Sequence, residues 1–200
     1  MAGTTDAREL ILGEARAQFA AKGYDGTSVD AIVRAAGVSK GAFYWHFDSK
    51  FSLFRMLLEE EIRQVREFFL ISEEELARPL ETLMRKGEEY LERMSADRQS
   101  HLLWLELCAG GHRGREEMIF LARELFEMVR REIMPLLERA FPSLGKRSGI
   151  PRSEDLALLV ETFFDGMVAN LSLRTDLDAS KALWRLAMKR IIEGGPSYAA

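Results

Sequence analysis

The segment from Lys40 to His46 places one lysine and two very small residues ahead of several aromatic rings. The lysine ammonium suits guanine, whose major-groove edge presents the acceptors O6 and N7. Gly41 and Ala42 carry almost no side chain, so the backbone at this point is able to approach base edges in a groove about 12 Å wide. These residue types indicate direct contact with double-stranded DNA.

The aromatic residues of this segment suit the DNA backbone. Tyr44 and His46 are placed for phosphate contacts, and Trp45 suits the sugar-phosphate wall or a thymine methyl group. Helix N-termini offer unpaired N–H groups and a positive dipole end, so helices that start at Thr27 and Lys50 are expected to hold one phosphate each. The predicted DNA-binding residues are Thr27, Ser39, Lys40, Gly41, Ala42, Tyr44, Trp45, His46 and Lys50.

A buried aromatic cluster is the alternative interpretation of Phe43, Tyr44, Trp45 and Phe47. Phe43 and Phe47 lie four positions apart, which puts them on one helix face, and we predict that both are core residues. A short helix held between two caps does not bury all of its faces. We therefore expect Tyr44 and Trp45 to face outward.

Two short, steeply crossing helices must position this surface. Thr27 and Asp30 form a capping-box pattern at the start of the first helix, and Ser39 is placed to cap the second. Gly37 lies between them, where the tight turn requires a positive φ that glycine adopts at low cost. The pattern predicts a helix-turn-helix.

Helical periodicity dominates the remaining sequence, and no segment alternates in the way a half-buried strand does. We predict an all-α fold of about nine helices. Besides the helix-turn-helix, they run from about Asp6 to Lys22 with Gly23 as cap, Lys50 to Leu70, Pro79 to Met94, Arg98 to Ala109, Arg115 to Phe141 with a kink or division at Pro135, Glu154 to Arg174, and Asp178 as cap to Glu193. Ser72 begins a second capping-box pattern, so the helix that ends at Met94 starts either near Ser72 or at Pro79. The segment from Pro142 to Pro151 is predicted to be a loop.

The charge and cysteine content exclude several classes of site. A formal net charge of −4 argues against non-specific coating of nucleic acid, so any DNA contact must be local. The single Cys108 allows no internal disulfide. His101 and His112 would share a helix face with Cys108 only if the helix continued through Gly110 and Gly111. We expect these two glycines to end the helix. We therefore predict no metal and no cofactor.

The N-terminal residues and the apolar runs bear on localisation. Charged residues at Asp6, Arg8 and Glu14 interrupt any signal or transit peptide. Apolar stretches such as Leu156 to Val160 are far shorter than the roughly 20 residues of a membrane span. The expectation is a cytoplasmic protein with no membrane partner.

The run GVSKGAFYWHFDSK from Gly37 to Lys50 resembles the DNA-binding domain of the tetracycline-repressor (TetR) family, and the resemblance extends over about Leu10 to Leu57. Val33 stands where the family usually has alanine, and Phe51 replaces a common acidic residue. The resemblance implies a helix-turn-helix domain at residues 1–50 and a ligand-binding and dimerisation domain at residues 51–200. It also implies a homodimer and operator DNA as partner.

Two apolar stripes near the C-terminus are the candidate dimer interface, which related repressors build as a four-helix bundle. The residues are Leu156, Leu159, Val160, Phe163 and Met167 on one helix and Leu183, Leu186 and Ile191 on the next. An intramolecular core is the alternative interpretation. Candidate pocket residues are Phe68, Trp104, Cys108, Phe120, Leu121 and Phe164, although most such side chains belong to a core.

The function expected from these features is a repressor released from its operator by a small, largely apolar effector. Fatty acyl thioesters, aromatic compounds and amphipathic drugs all remain open as effectors. The alternative function is a helical small-molecule binding protein or enzyme that retains the helix-turn-helix shape. No nucleophile-base pair supports that alternative.

Overall fold

The computed structural model describes residues 3–142 and 152–193, which form ten α-helices and, within these ranges, no β-strand. The helices are α1 (Gly3–Gly26), α2 (Val29–Ala35), α3 (Lys40–His46), α4 (Lys50–Phe69), α5 (Glu73–Ala77), α6 (Pro79–Ala96), α7 (Arg98–His112), α8 (Glu116–Ala140), α9 (Ser153–Asn170) and α10 (Leu177–Glu193). The all-α prediction is confirmed. Most of the loop predicted from Pro142 to Pro151 lies outside the described residues.

The first helix is interrupted where the sequence predicts its end. Gly23 has φ +70° and ψ 175°, so α1 contains a kink at this residue and resumes only as far as Gly26. Ile11, Ala15 and Phe19 are buried as one stripe. Leu10, which the periodicity assigned to the same stripe, is exposed.

The helix count rises to ten because the capping box at Ser72 is real. The Ser72 hydroxyl accepts from the Glu75 amide at 3.2 Å, and the Glu75 carboxylate accepts from the Ser72 amide at 2.9 Å. This box starts the one-turn helix α5, and α6 then begins at Pro79 as predicted.

Two helix interiors differ from the prediction. The α7 helix continues through Gly110 and Gly111, and a β-carbon on Gly110 would overlap the sulfur of Met118. Gly110 thus provides space for close helix packing and does not end the helix. The α8 helix is not divided at Pro135, although division is one of the two outcomes predicted there, and it runs on to Ala140.

The bounds of α9 and the start of α10 differ from the prediction, whereas α10 ends at Glu193 as predicted. The α9 helix ends at Asn170, because Ser172 takes φ +67° and an isolated bridge joins Leu171 to Thr175. The cap of α10 is Asp176, whose carboxylate accepts from the Ala179 amide at 2.8 Å, and not Asp178.

The chain forms two compact units. The first contains residues up to Val65 together with Arg98–Glu124, and the second contains Arg66–Asp97 and the residues from Leu125 onward. The core of the first unit includes Phe19, Phe43 and Phe54, all fully buried. In the described part of the chain, no helix is long and apolar enough to cross a membrane.

The core of the second unit is built around Trp184 of α10, which packs against α6. Its indole N–H donates to the Met84 carbonyl at 2.9 Å, and its ring contacts Phe164 with centroids 5.1 Å apart. A β-carbon on Gly87 would overlap the indole, so the residue type at this position sets the distance between the two helices.

Candidate nucleic-acid interface

A tight turn fixes α2 against α3. Gly37 has φ +67°, and the Val38 amide donates to the Val33 carbonyl at 3.0 Å to close the turn. The Ser39 hydroxyl accepts from the Ala42 amide at 3.1 Å, which confirms Ser39 as the cap of α3. Local chemistry therefore produces the helix-turn-helix that the sequence predicts.

One face of α3 is core and the opposite face is open. Phe43 and Phe47 are buried, with ring centroids 5.6 Å apart. In contrast, Tyr44 is 56% exposed and Trp45 is 78% exposed. Two large aromatic side chains on a free surface are unusual for a folded domain, and they rule out a fully buried aromatic cluster.

The other predicted contact residues of this helix surround those two rings. Ser39, Lys40 and Gly41 are exposed, whereas Ala42 and His46 are half-buried. The first turn of α3 thus presents a cap, a cation and a residue without a side chain next to the exposed aromatics. The helix brings these predicted residues together on one surface.

Thr27 differs from its predicted role. The cap of α2 is Ser28, whose hydroxyl accepts from the Ala31 amide at 3.2 Å. Thr27 is only 2% exposed, and its hydroxyl lies 2.9 Å from the Gly23 carbonyl and 3.1 Å from the Gln18 carbonyl. Its hydroxyl holds the end of α1. The phosphate contact expected at the start of α2 stays a prediction.

The Lys50 ammonium is also occupied within the first unit. It donates to the carbonyls of Tyr24 at 2.8 Å and Thr27 at 2.9 Å, and it lies 4.2 Å from the centroid of the Tyr24 ring. Burial lowers the pKa of this lysine. The ammonium therefore has an internal role, which the sequence missed because the carbonyls belong to a distant turn. The phosphate contact expected at the N-terminus of α4 stays a prediction.

The start of α4 is satisfied by two serines. The Ser49 hydroxyl accepts from the Ser52 amide, and the Ser52 hydroxyl accepts from the Ser49 amide, both at 3.0 Å. Ser49 is therefore the cap of α4.

Asp30 is a residue of this surface that the sequence reasoning treated only as part of a cap. Its carboxylate lies 2.6 Å from the Lys40 ammonium, and both side chains are exposed. Hydrogen bonding to this carboxylate raises the pKa of Lys40. The pair joins the first turn of α2 to the first turn of α3.

Two arginines hold α1 within the first unit, namely Arg115, between α7 and α8, and Arg16 of α1 itself. The Arg115 guanidinium pairs with Asp25 and lies 4.8 Å from the centroid of the Tyr24 ring. Arg16 of α1 pairs with Glu61 and donates to the Ser100 hydroxyl at 2.7 Å. These contacts anchor α1 within the first unit, so the helix-turn-helix rests on a fixed support.

The residues predicted to form a dimer interface divide into two groups. Leu156, Val160 and Met167 are buried within the second unit and have no free face for a partner. Leu159 is 57% exposed, Leu186 is 52% exposed, and Leu183 is also exposed. Phe163 and Ile191 are half-buried.

The residues predicted to line a pocket are distributed between the two units. Phe68 and Phe164 belong to the second unit, where each ring contacts Tyr90, with centroids 5.6 Å and 5.9 Å apart. In the first unit Leu121 is buried, Trp104 and Cys108 are half-buried, and Phe120 is 59% exposed.

The second unit contains two carboxyl groups one helical turn apart on α9. Glu161 is buried and pairs with the Arg130 guanidinium at 2.8 Å, yet burial raises the pKa of this carboxyl. Burial, followed by the nearby charge of Glu161, raises the pKa of Asp165 to about 7. Across residues 3–142 and 152–193, no three His, Cys, Asp or Glu side chains are grouped as metal ligands.

Comparison with known proteins supports a regulator. Residues 11–57 match the family model described as bacterial regulatory proteins, tetR family. A solved transcriptional regulator of the TerR/AcrR family from Aquifex aeolicus is 29% identical with a TM-score of 0.70, and the alignment covers 92% of this chain and 99% of that one. Over residues 11–57 the chain is similar to the tetR family. Members of this family are DNA-binding regulators, which favours a regulator over the alternative of a helical enzyme.

Further relatives of this chain have repressor names. The transcriptional repressor AcnR of Corynebacterium glutamicum is 35% identical over 86 residues, which are 43% of this chain and 45% of that protein. The negative regulator IcaR of Staphylococcus aureus is 40% identical over 47 residues, 24% of this chain and 25% of its own length. The chain thus aligns with less than half the length of these relatives. A TetR-family regulator from Bordetella parapertussis has a TM-score of 0.63 at 25% identity, with coverage of 94% and 95%.

Proposed function

We propose that this chain is a transcriptional repressor that binds operator DNA through α3. The observation that carries the proposal is the free surface on which Tyr44 and Trp45 stand exposed while Phe43 of the same helix is buried. Tyrosine and tryptophan rings exposed in this way suit contact with sugars, phosphates and thymine methyl groups. Repressor names among the relatives support the same function.

The small residues next to these rings determine how closely the helix approaches DNA. Gly41 is exposed, and the nearest atom to a β-carbon built there is the Ser39 hydroxyl at 3.6 Å. A larger side chain would fit the protein itself but would hold the helix away from the base edges. Substitution of Gly41 by a larger residue is therefore expected to weaken DNA binding while leaving the free energy of unfolding almost unchanged.

We propose that the repressor binds as a homodimer. Two recognition helices related by a two-fold axis match DNA half-sites about 34–36 Å apart. Leu159 of α9 and Leu183 and Leu186 of α10 supply exposed apolar surface for such a pair. The interface proposed here uses the exposed leucines, and the buried members of the predicted stripe stabilise the protomer.

We propose that a small, largely apolar effector releases the repressor, and that α4 transmits the signal. This helix runs without interruption from Lys50, close after α3, to Phe69. A change at its C-terminal end would alter the spacing of the two recognition helices in a dimer. Thermodynamic linkage then requires operator DNA to weaken effector binding by the same factor that the effector weakens DNA binding.

Selection from a pool of randomised duplexes tests DNA binding directly. The full chain is expected to enrich a sequence with two-fold symmetry, and Tyr44→Ala is expected to weaken binding to that sequence about tenfold or more without changing far-ultraviolet circular dichroism. Leu173→Ala is the matched control, because this side chain is 79% exposed in the turn after α9. Enrichment of no sequence by the wild-type chain would contradict the proposal.

The enriched duplex is then used to test effector control. Native mass spectrometry of protein purified from its host identifies a retained ligand, and titration of that ligand is expected to release the duplex. An effector affinity that is identical with and without the duplex would exclude the release mechanism but leave DNA binding intact.

A further inference from the structure

The ion pair between Asp30 and Lys40 lies at the edge of the surface proposed to contact DNA. The carboxylate oxygen and the ammonium are 2.6 Å apart, and the two side chains are 64% and 59% exposed. An exposed ion pair of this kind contributes little to folding stability. Lys40 is the first residue of α3, so the pair lies where an effect on DNA binding is expected.

We propose that Asp30 is a specificity determinant that directs Lys40 toward a guanine base instead of a phosphate. The proposal rests on DNA binding through α3 as proposed above. Asp30 acts as a positioning residue, because it restrains the lysine that reads the base.

The donor count of lysine supports this role. An ammonium has three N–H donors and no acceptor. One donor serves the Asp30 carboxylate, which leaves two for acceptors on DNA. Guanine offers two neighbouring acceptors, O6 and N7, on its major-groove edge. The restrained ammonium therefore retains the number of donors that one guanine requires.

The carboxylate also disfavours the competing contact. A lysine on a flexible four-carbon stem otherwise binds any phosphate as a point charge. Because the Asp30 carboxylate lies 2.6 Å from the ammonium, a phosphate bound to the same ammonium would come close to the carboxylate, and the two anions would repel each other. A base edge carries no net charge and avoids this repulsion. The pair therefore reduces sequence-independent binding more than it reduces binding to a guanine.

The experiment compares wild-type full-length protein with Asp30→Asn, Asp30→Glu, Lys40→Met and the double variant Asp30→Asn/Lys40→Met. Selection from randomised duplexes gives the base preference at each position, and titration of a scrambled duplex at several salt concentrations gives non-specific affinity. Asp30→Asn is expected to reduce the preference for guanine at one position of each half-site by about tenfold. It is also expected to tighten binding to the scrambled duplex. The slope of the logarithm of the binding constant against the logarithm of the salt concentration is expected to become steeper by about one.

The other variants separate positioning from charge. Asp30→Glu keeps the carboxylate and is expected to keep the guanine preference. In the Lys40→Met background, Asp30→Asn is expected to leave the base preference unchanged, because the residue that it positions is gone. Asp48→Asn is the matched control, since Asp48 is an exposed carboxylate of the same unit just after α3. It is expected to tighten scrambled-duplex binding while leaving guanine preference intact.

Three outcomes would overturn the proposal. The first is a full guanine preference in Asp30→Asn, and the second is an identical base profile for Asp30→Asn and Asp48→Asn. In both cases DNA binding by the wild type stands and only the role of Asp30 falls. The third is enrichment of no sequence by the wild type, which would overturn the proposed function together with this one. Circular dichroism and thermal unfolding of each variant confirm that it is folded, and Lys40→Met provides an independent test of the guanine contact.

Discussion

The Lys50 ammonium closes the end of α1 by donating to the Tyr24 carbonyl at 2.8 Å while it lies over the Tyr24 ring. The chain leaves helical geometry at Gly23, so carbonyls near this point have lost their helical donors. A lysine from the start of α4 supplies the missing donors. Lys50, which the sequence analysis placed among the DNA-binding residues, thus stabilises the helix end that supports the helix-turn-helix.

Replacement of Lys50 with methionine is expected to lower the free energy of unfolding by about 1–3 kcal/mol. The methionine keeps much of the apolar stem, but the carbonyls of Tyr24 and Thr27 lose the ammonium, and the Tyr24 carbonyl keeps only the long bond of 3.4 Å from the Thr27 amide. Urea unfolding measures the change. Lys22→Met is the control, because Lys22 is exposed. Equal stability of the two variants would show that the carbonyls find other donors.

Two glycine-to-alanine substitutions are expected to change stability in opposite directions. Gly87→Ala is expected to cost about 1–3 kcal/mol, because the new methyl group overlaps the Trp184 indole. Gly13→Ala is the matched change in another helix, where nothing lies within 4 Å of the added carbon, and it is expected to gain about 0.5–1 kcal/mol. Thermal unfolding of both variants against wild type provides the comparison. A neutral Gly87→Ala would mean that α6 and α10 separate at little cost.

The pH dependence of stability is expected to change in Asp165→Asn. The folded-state pKa of Asp165 is raised to about 7, whereas the unfolded value is near 3.8. The folded state therefore binds more protons between these values, so the contribution of Asp165 to stability falls as the pH rises from about 4 to 7. Each unit of such a shift corresponds to about 1.4 kcal/mol.

The amide that replaces the carboxyl group in this variant does not titrate, so Asp165→Asn is expected to lose less stability than wild type between pH 5 and pH 8. Urea unfolding at a series of pH values measures the difference. Asp178→Asn, a change at an exposed aspartate of α10, is expected to follow the wild-type profile. Parallel profiles for wild type and Asp165→Asn would show that this carboxyl ionises in the folded state as easily as in water.

Charged substitutions in the proposed interface are expected to dissociate the dimer. Leu159→Glu and Leu186→Glu each place a carboxylate in the apolar contact, where burial of an unpaired charge is costly. Sedimentation velocity at micromolar concentration is expected to show the monomer, with thermal stability of each protomer largely retained. Leu173→Glu, at a leucine that is 79% exposed outside this surface, is expected to remain dimeric. A dimer in all three variants would assign the interface to another face.

Local sequence determined the exposed surface of α3. The Gly37 turn, the Ser39 cap and the separation of buried Phe43 from exposed Tyr44 all depend on residues within a few positions of one another. Such short-range preferences are encoded directly in residue types and helical spacing. The same reason explains why the Ser72 capping box was recognisable. The actual DNA contacts of these residues stay a prediction.

Tertiary structure decided which apolar and charged groups are buried. The run Leu156 to Val160 is apolar on every face of α9, so periodicity did not distinguish buried Leu156 and Val160 from exposed Leu159. The partners of Lys50 and the exposed Asp30–Lys40 pair depend on how separate helices pack. Burial and pairing are set by distant segments, whose arrangement a helical pattern does not contain.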